Sequence, residues 1–410
     1  MSASAARATR VAAATAVPRL LAGIHENGAA LSLGEHLDLH GPLPRANDLI
    51  ELVEASGLQG RGGAGFPAGR KLRAVAEARG RAVVVANGTE GEPVSGKDKV
   101  LLRCVPHLVL DGIELAAAAV GAREAILAVG AGATHELAAL RRAVAERRRS
   151  ERVRVVTVPE GFVAGEETAL VSWLNGGPPK PTFTPPRPFE RGVRGAPTLV
   201  QNVETLANVA LVARHGADWF RALGSADEPG TVLVSVGGAV AHPGVYEIPL
   251  GLQFSELLAW TGGATEALSA FLVGGYFGTW IDAATALRLR LLESDLGSLG
   301  ARAIYALPAS ACGVAETARV ARYLAAESAG QCGPCVHGLD AIATALERHD
   351  FGRVTRWTSQ VKGRGACSHP DGAARFVESA LAVFADEVER HAHGRCLGQR
   401  PPRLPVGAKR

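Results

Sequence analysis

Two groups of residues in this chain have types and spacings that could do chemistry. The first is Gly60-Arg61-Gly62-Gly63-Ala64-Gly65-Phe66-Pro67, with four glycines in six residues. Each glycine costs backbone entropy on folding, so such density belongs where backbone must approach a ligand closely or take positive φ. Gly60, Gly62 and Gly65 match G-x-G-x-x-G, a phosphate-cradling pattern that is specific only between a strand and a helix. Here residues 47–57 read as an amphipathic helix, with Leu49, Ile50 and Val53 on one face, so the pattern matches and its context does not. The second group is Cys332-Gly333-Pro334-Cys335. Six cysteines in 410 residues do not suggest a disulfide framework, and the C-x-x-C spacing reads as metal, cluster or redox chemistry.

The elements that must position these groups alternate in type. A buried strand at 82–86 runs straight into Asn87-Gly88-Thr89-Glu90-Gly91-Glu92. A helix at 109–120, a strand at 124–130, a helix at 135–147 and a strand at 153–158 follow, which argues a parallel α/β sheet. The proline-rich stretch 176–188 reads as an extended surface excursion, and 202–215 as a helix. Strands at 231–236 and 244–251, a helix at 254–261 and a strand at 271–274 make a ββαβ unit. Four helices, 317–326, 338–348, 353–362 and 373–391, suit a small bundle.

Bulk properties exclude several classes. The net charge of +4 is small and scattered, which argues against a nucleic-acid partner. The apolar stretch 108–120 is interrupted by Asp111 and Glu114, so no segment reaches membrane-spanning length. Residues 1–21, rich in Ala, Arg and Ser, read as a frayed cytoplasmic leader, and the basic 394–410 as a disordered tail. Arg147 belongs to a basic cluster read as the solvated end of a helix. Cys104 and Cys312 read as structural, Cys396 as free or an extra ligand, and His107 as a cap or core residue. His391 and His393 lie near the tail with no matching acids, and the absence of G-x-S-x-G leaves hydrolase chemistry without support.

Taken in order, the glycine loop, Lys71, Asn87-x-x-Glu90-x-Glu92, Gly165-Glu166-Glu167-Thr168 and Asn202-Val203-Glu204-Thr205 are recognisable. From about Leu49 to Phe384 the chain resembles the flavoprotein (F) component of bacterial NADH:quinone oxidoreductase (complex I). It is similar too to the flavin components of NAD-linked hydrogenases and formate dehydrogenases. The resemblance implies a parallel-sheet α/β domain binding FMN and NADH (47–225), a β-grasp, ubiquitin-like SLBB module (226–310) and an iron–sulfur-binding helical bundle (311–392). Residues 1–46 would be an N-terminal extension and 393–410 a tail.

The implied cofactor-binding residues are Gly60, Arg61, Gly62, Gly63, Gly65, Phe66, Lys71, Asn87, Glu90, Glu92, Phe162, Gly165, Glu166, Glu167, Gln201, Asn202 and Thr205. Their types suit the task. Glycine N–H groups accept phosphate without bulk, Lys71 adds a point charge, and Phe66 offers a stacking face. Glu92 and Glu167 would orient the nicotinamide nucleotide, and a carboxylate at the ribose favours NADH over NADPH. No side chain is required as a covalent or acid–base catalyst. The family's acid before Glu90 is here Thr89, its aromatic hydroxyl is Phe162, and its first asparagine is Gln201.

For a 4Fe-4S cluster the resemblance supplies three ligands, Cys332, Cys335 and Cys367, with Ala329 where a fourth cysteine stands. Three readings stay open: a cubane with another ligand from Ser328, His337, Cys312 or Cys396, a three-iron or labile cluster, or no cluster. The implied partners are an iron–sulfur or ferredoxin-like electron-acceptor protein and other NADH dehydrogenase subunits, without membrane insertion. The implied location is cytoplasmic, peripheral to a membrane complex where the chain joins one. The alternative to an NADH dehydrogenase is a non-catalytic scaffold, and a ligand-binding β-grasp module is a third reading.

Overall fold

The computed structural model describes residues 10–12, 18–25, 28–45, 47–147, 153–396 and 402–406. The chain opens with β1 (Arg10–Ala12), α1 (Leu33–His40), α2 (Leu49–Ser56) and α3 (Ala68–Ala76). Next come β2 (Val83–Gly88), α4 (Lys97–Cys104), α5 (Pro106–Ala119), β3 (Glu124–Gly130), α6 (Thr134–Glu146) and β4 (Val153–Val158). Helix α7 (Glu167–Leu174), β5 (Thr198–Asn202), α8 (Val203–His215) and α9 (Ala217–Arg221) complete the first part.

Four of these strands form an all-parallel sheet in the order β4-β3-β2-β5. Its inner strands are apolar on both faces because both are covered. Val84, Ala86 and Leu127 enter one core, while Val83, Val85 and Ile126 enter another. The chain steps from β2 outward to β3 and β4, then returns to β5 on the far side of β2. The direction therefore reverses between β2 and β5, which opens a crevice at their carboxyl ends. Asn87 and Asn202 stand in register at that edge.

The second part comprises β6 (Thr231–Gly238), β7 (Gly244–Pro249), α10 (Phe254–Trp260), β8 (Leu268–Val273), β9 (Thr279–Asp282), α11 (Ala283–Ala286), α12 (Glu293–Leu296) and β10 (Ala303–Pro308). The ββαβ unit read from the sequence lies within a mixed six-stranded sheet, order β1-β7-β6-β10-β8-β9. The described part of the N-terminal region is not frayed. β1 pairs in parallel with β7. The buried Glu247 carboxylate accepts from the Arg19 N–H at 2.9 Å and the Leu21 N–H at 3.0 Å, and the Arg19 guanidinium lies 3.9 Å from the Trp219 ring.

The third part is helical: α13 (Gly313–Ala326), α14 (Leu339–Glu347), α15 (Phe351–Val361), α16 (His369–Val383) and α17 (Ala385–Ala392). The single last helix read from the sequence is broken at Phe384, whose buried ring takes the space a side chain at Gly313 would need. The described tail is ordered as well. Leu404 is buried, Glu316 accepts from the Arg403 N–H at 3.0 Å and the Leu404 N–H at 2.8 Å, and the Tyr305 hydroxyl donates to the Arg403 carbonyl at 2.5 Å. Arg147 is also not solvated: its guanidinium donates to Asp111 at 2.5 Å and Glu114 at 3.0 Å. No helix among the described residues is long and apolar enough to cross a membrane.

Candidate nucleotide and cluster site

The glycine loop follows a helix, as its context suggested, but it does open another, α3. Leu58 accepts from the Ala68 N–H at 2.9 Å, and Phe66 accepts from the Gly60 N–H at 2.8 Å, so the loop is pinched shut at its neck. Gly63 and Gly65 take φ of 116° and 63°, where a side chain would be strained. Gly62 lies so close to α8 that a Cβ would stand 3.3 Å from that of Asn202. Residues 61–64 form a turn, and among the described residues the N–H groups of Gly62, Gly63, Ala64 and Gly65 meet no acceptor outside it. Backbone donors left over beside a helix N-terminus suit a phosphate. Phe66, in the same loop, is 50% exposed.

Lys71, one turn into α3, donates to the Glu167 carboxylate at 2.6 Å, so two candidate residues meet across the crevice. Asn87 donates to the Gly165 carbonyl at 2.8 Å and accepts from the Thr89 hydroxyl at 2.5 Å. Thr89 thus replaces an acid with a local cap. Asn202 caps α8 through the Glu204 N–H and donates to Asp98 at 2.7 Å. The Thr205 hydroxyl accepts from the Arg61 N–H at 2.8 Å, tying the glycine loop to α8. Gln201 is buried on β5.

Other candidates are engaged by neighbouring protein groups. The Arg61 side chain is buried, with its guanidinium 3.2 Å from the Thr231 carbonyl, and burial pushes it down to about 9. Glu90 accepts from the Ser95 hydroxyl at 2.5 Å and from the Asp98 N–H at 3.3 Å, near the start of α4. Glu166 is the N-cap of α7, accepting from the Thr168 and Ala169 N–H groups. The Glu92 side chain is part-exposed, but its carboxyl end lies inside and accepts from the Tyr276 N–H of the β-grasp part at 2.8 Å. Burial raises that carboxyl to about 7.

A buried network beneath the crevice was missed in the sequence. Lys97 lies 2.6 Å from Asp98, 2.9 Å from Glu204 and 3.5 Å from the Asn202 side-chain oxygen. Burial pushes Asp98 up to about 6, against the pull of Lys97. Burial works against the charge on Lys97 too, yet Asp98 and Glu204 hold it protonated above its ordinary value. Adjacent Lys and Asp heading an apolar helix was the available signal.

Phe162 bridges this crevice to the bundle. Its N–H donates to Glu327 at 2.9 Å, and its ring meets Phe277 edge-on at 4.8 Å and His369 at 5.8 Å. Glu327 opens the loop that carries Cys332 and Cys335, and Cys335 sits in a widened π turn, Pro334–Gly338. Burial and the neighbouring Cys332 and Cys367 push the Cys335 thiol up to about 12. Burial raises Cys367, with a smaller push from the charge of Glu166. Ala329 is buried and offers only a methyl.

Cys312 and Cys396 are not drawn into this loop. They stand with His391, the ligand atoms all within 4.8 Å of one another, and that group takes in none of Cys332, Cys335 or Cys367. Cys332 and Cys335 interact directly through their side chains, and Cys367 lies near enough to act on Cys335. His391 has acidic company after all, since Glu387 lies 3.4 Å from the Cys312 sulfur. A cleft of about 1100 Å³ lies elsewhere, between Pro93–Gly96, the β6–β7 corner and Arg403. None of the glycine loop, Lys71 or Glu167 lines it.

A parallel sheet with a glycine loop at its switch point, joined to a β-grasp module and a cysteine-bearing bundle, defines a nucleotide-binding redox protein. Family models agree part by part: the Nuo51 FMN-binding domain matches residues 53–211, the SLBB domain 233–275, and the NADH-ubiquinone oxidoreductase-F iron–sulfur binding region 315–391. The chain is 34% identical over 376 residues to the NADH-quinone oxidoreductase F protein of Streptomyces coelicolor, covering 85% of this chain and 84% of that one. It is 30% identical over 367 residues to the corresponding F protein of Aquifex aeolicus, covering 84% and 86%. The crystal structure of an NAD+-reducing [NiFe]-hydrogenase in the H2-reduced state superposes with a TM-score of 0.80 at 30% identity, over 88% of this chain and 69% of that chain. The chain belongs to the family of NADH-quinone oxidoreductase F proteins.

Proposed function

We propose that this chain is an NADH-oxidising flavoprotein, with FMN and NADH held where β2 and β5 end and a 4Fe-4S cluster in the bundle. The observation that carries this reading is the set of N–H groups in Gly62–Gly65 with no acceptor outside their own turn, just before α3, the helix whose Lys71 pairs with Glu167. When bound, FMN accepts a hydride from NADH and releases electrons singly.

The chain's own residues bind and orient. The glycine loop and Lys71 hold phosphate, and the half-exposed Phe66 ring offers a stacking face. Asn87 and Asn202 fix the crevice floor, while Glu167, released from Lys71, presents a carboxylate to a ribose or carboxamide. Glu90, Glu92, Glu166 and the Arg61 side chain act by holding elements in place. Cys332, Cys335 and Cys367 supply three thiolates for the cluster, and the fourth corner falls to a ligand other than residue 329. The Phe162–Glu327 bond keeps the two sites adjacent.

The electron acceptor is a soluble iron–sulfur partner protein. Val336, next to Cys335, is 49% exposed and suits a small docking patch there. The proposed location is cytoplasmic, peripheral to a membrane complex.

Anaerobic titration of the FMN-reconstituted protein with NADH tests the reading. Flavin absorbance is expected to bleach, with the broad iron–sulfur absorbance falling alongside it. Flavin bleaching alone would confine the activity to NADH–flavin reduction. No change in a folded, flavin-loaded protein would leave only a scaffold.

A further inference from the structure

We propose that Cys312, His391 and Cys396 form a mononuclear zinc site, separate from the C-x-x-C loop, which fastens the end of the chain to the bundle. The Cys312 sulfur lies 3.1 Å from His391 Nε2, and all three ligand atoms fall within 4.8 Å of one another. A tetrahedral ion with its usual Zn–S and Zn–N bonds has ligand–ligand edges of roughly 3.5–3.8 Å. The group therefore needs only small side-chain adjustments to close on one ion.

The ligands come from separate places in the fold, as a staple requires. Cys312 is the N-cap of α13, where its sulfur accepts from the Ala315 N–H at 3.3 Å. His391 lies in the last turn of α17. Cys396 follows that helix and is half-buried. Glu387 lies 3.4 Å from the Cys312 sulfur, accepts from the Val314 N–H at 3.1 Å, and is the candidate fourth ligand after a side-chain adjustment.

The surroundings support a ligand role over simple packing. His391 Nδ1 lies 3.0 Å from His349 Nε2, which leaves Nε2 facing the sulfurs, the arrangement that orients a metal-bound imidazole. These groups line a small cavity of about 90 Å³ with Arg390 and Arg395 on its wall. Two thiolates and a carboxylate exceed the charge of one divalent ion, and the arginines offset the remainder. Sulfur and imidazole donors in this ratio favour zinc over harder cations.

The test uses full-length protein purified under reducing conditions, with zinc measured by mass spectrometry and cobalt(II) as the spectroscopic probe. We expect about one zinc per chain. We also expect a sulfur-to-cobalt charge-transfer band that survives Cys335→Ser and disappears in both Cys396→Ser and His391→Ala. Cys396→His, which keeps a donor, should retain the ion if serine unfolds the tail. The proposal fails if the reduced protein binds neither ion. It also fails if the cobalt band persists in Cys396→Ser, or if Cys312 and Cys396 are recovered as a disulfide from protein kept reduced.

Discussion

Lys71 and Glu167 are 22% and 31% exposed, too accessible for their pair to hold the fold together. Their value lies in what replaces the pair when an anion arrives. Lys71→Ala should therefore leave folding stability within about 1 kcal/mol of the parent. It should raise the FMN dissociation constant about tenfold, the worth of one charge-assisted hydrogen bond. Flavin fluorescence titration beside a denaturant melt separates the two effects. Equal losses in both would place Lys71 among the structural residues. The glycine loop and the C-x-x-C pair were legible in the sequence because their types are costly or uncommon away from chemistry, whereas Lys71 stood out only through the family resemblance. The caps were not legible. Whether Glu166 faces a ligand or its own helix depends on where α7 begins, and no local pattern separates those outcomes.

Among the elements, α5 and α8 approach closely because Gly112 has no side chain. A methyl there would overlap the Leu206 carbonyl, which is backbone and cannot step aside. Gly112→Ala should cost about 1–3 kcal/mol of stability. Since α8 carries Asn202 and Thr205, flavin retention should weaken in the same variant. Chemical denaturation with a parallel flavin assay would detect both, and an unchanged midpoint would mean the helices can part freely. Helix and strand order could be read from periodicity, since the middles of β2 and β3 are apolar runs and the bundle helices are two-faced. Breaks and attachments could not. The end of α16 at Phe384 reflects a ring wedged against Gly313, a partner far away in sequence. The network of Lys97, Asp98 and Glu204 likewise joins α4 to α8 only once the sheet exists.

Over the whole molecule, Glu92 is a tie between the α/β part and the β-grasp part through the Tyr276 N–H. Burial raises its carboxyl from the ordinary 4.5 to about 7. The folded chain thus holds a proton that the unfolded chain has released, so this group's contribution is fully present below pH 4.5 and is lost as pH rises to about 7. Glu92→Gln should remove that slope, which reaches about 1.4 kcal/mol per pH unit. Urea unfolding between pH 5 and 8 measures it, and a variant that keeps the parent's slope would refute the assignment. The attachment of both chain ends to the middle module was the part least legible in the sequence. Arg19 meets Glu247 across 228 residues, so the arm's partner does not exist when the arm is made. At ordinary elongation rates that gap lasts on the order of ten to fifty seconds. During synthesis the arm around Leu20 and Leu21, buried in the finished protein, is an apolar segment in waiting, and the nascent chain presents it to chaperones until β7 has emerged.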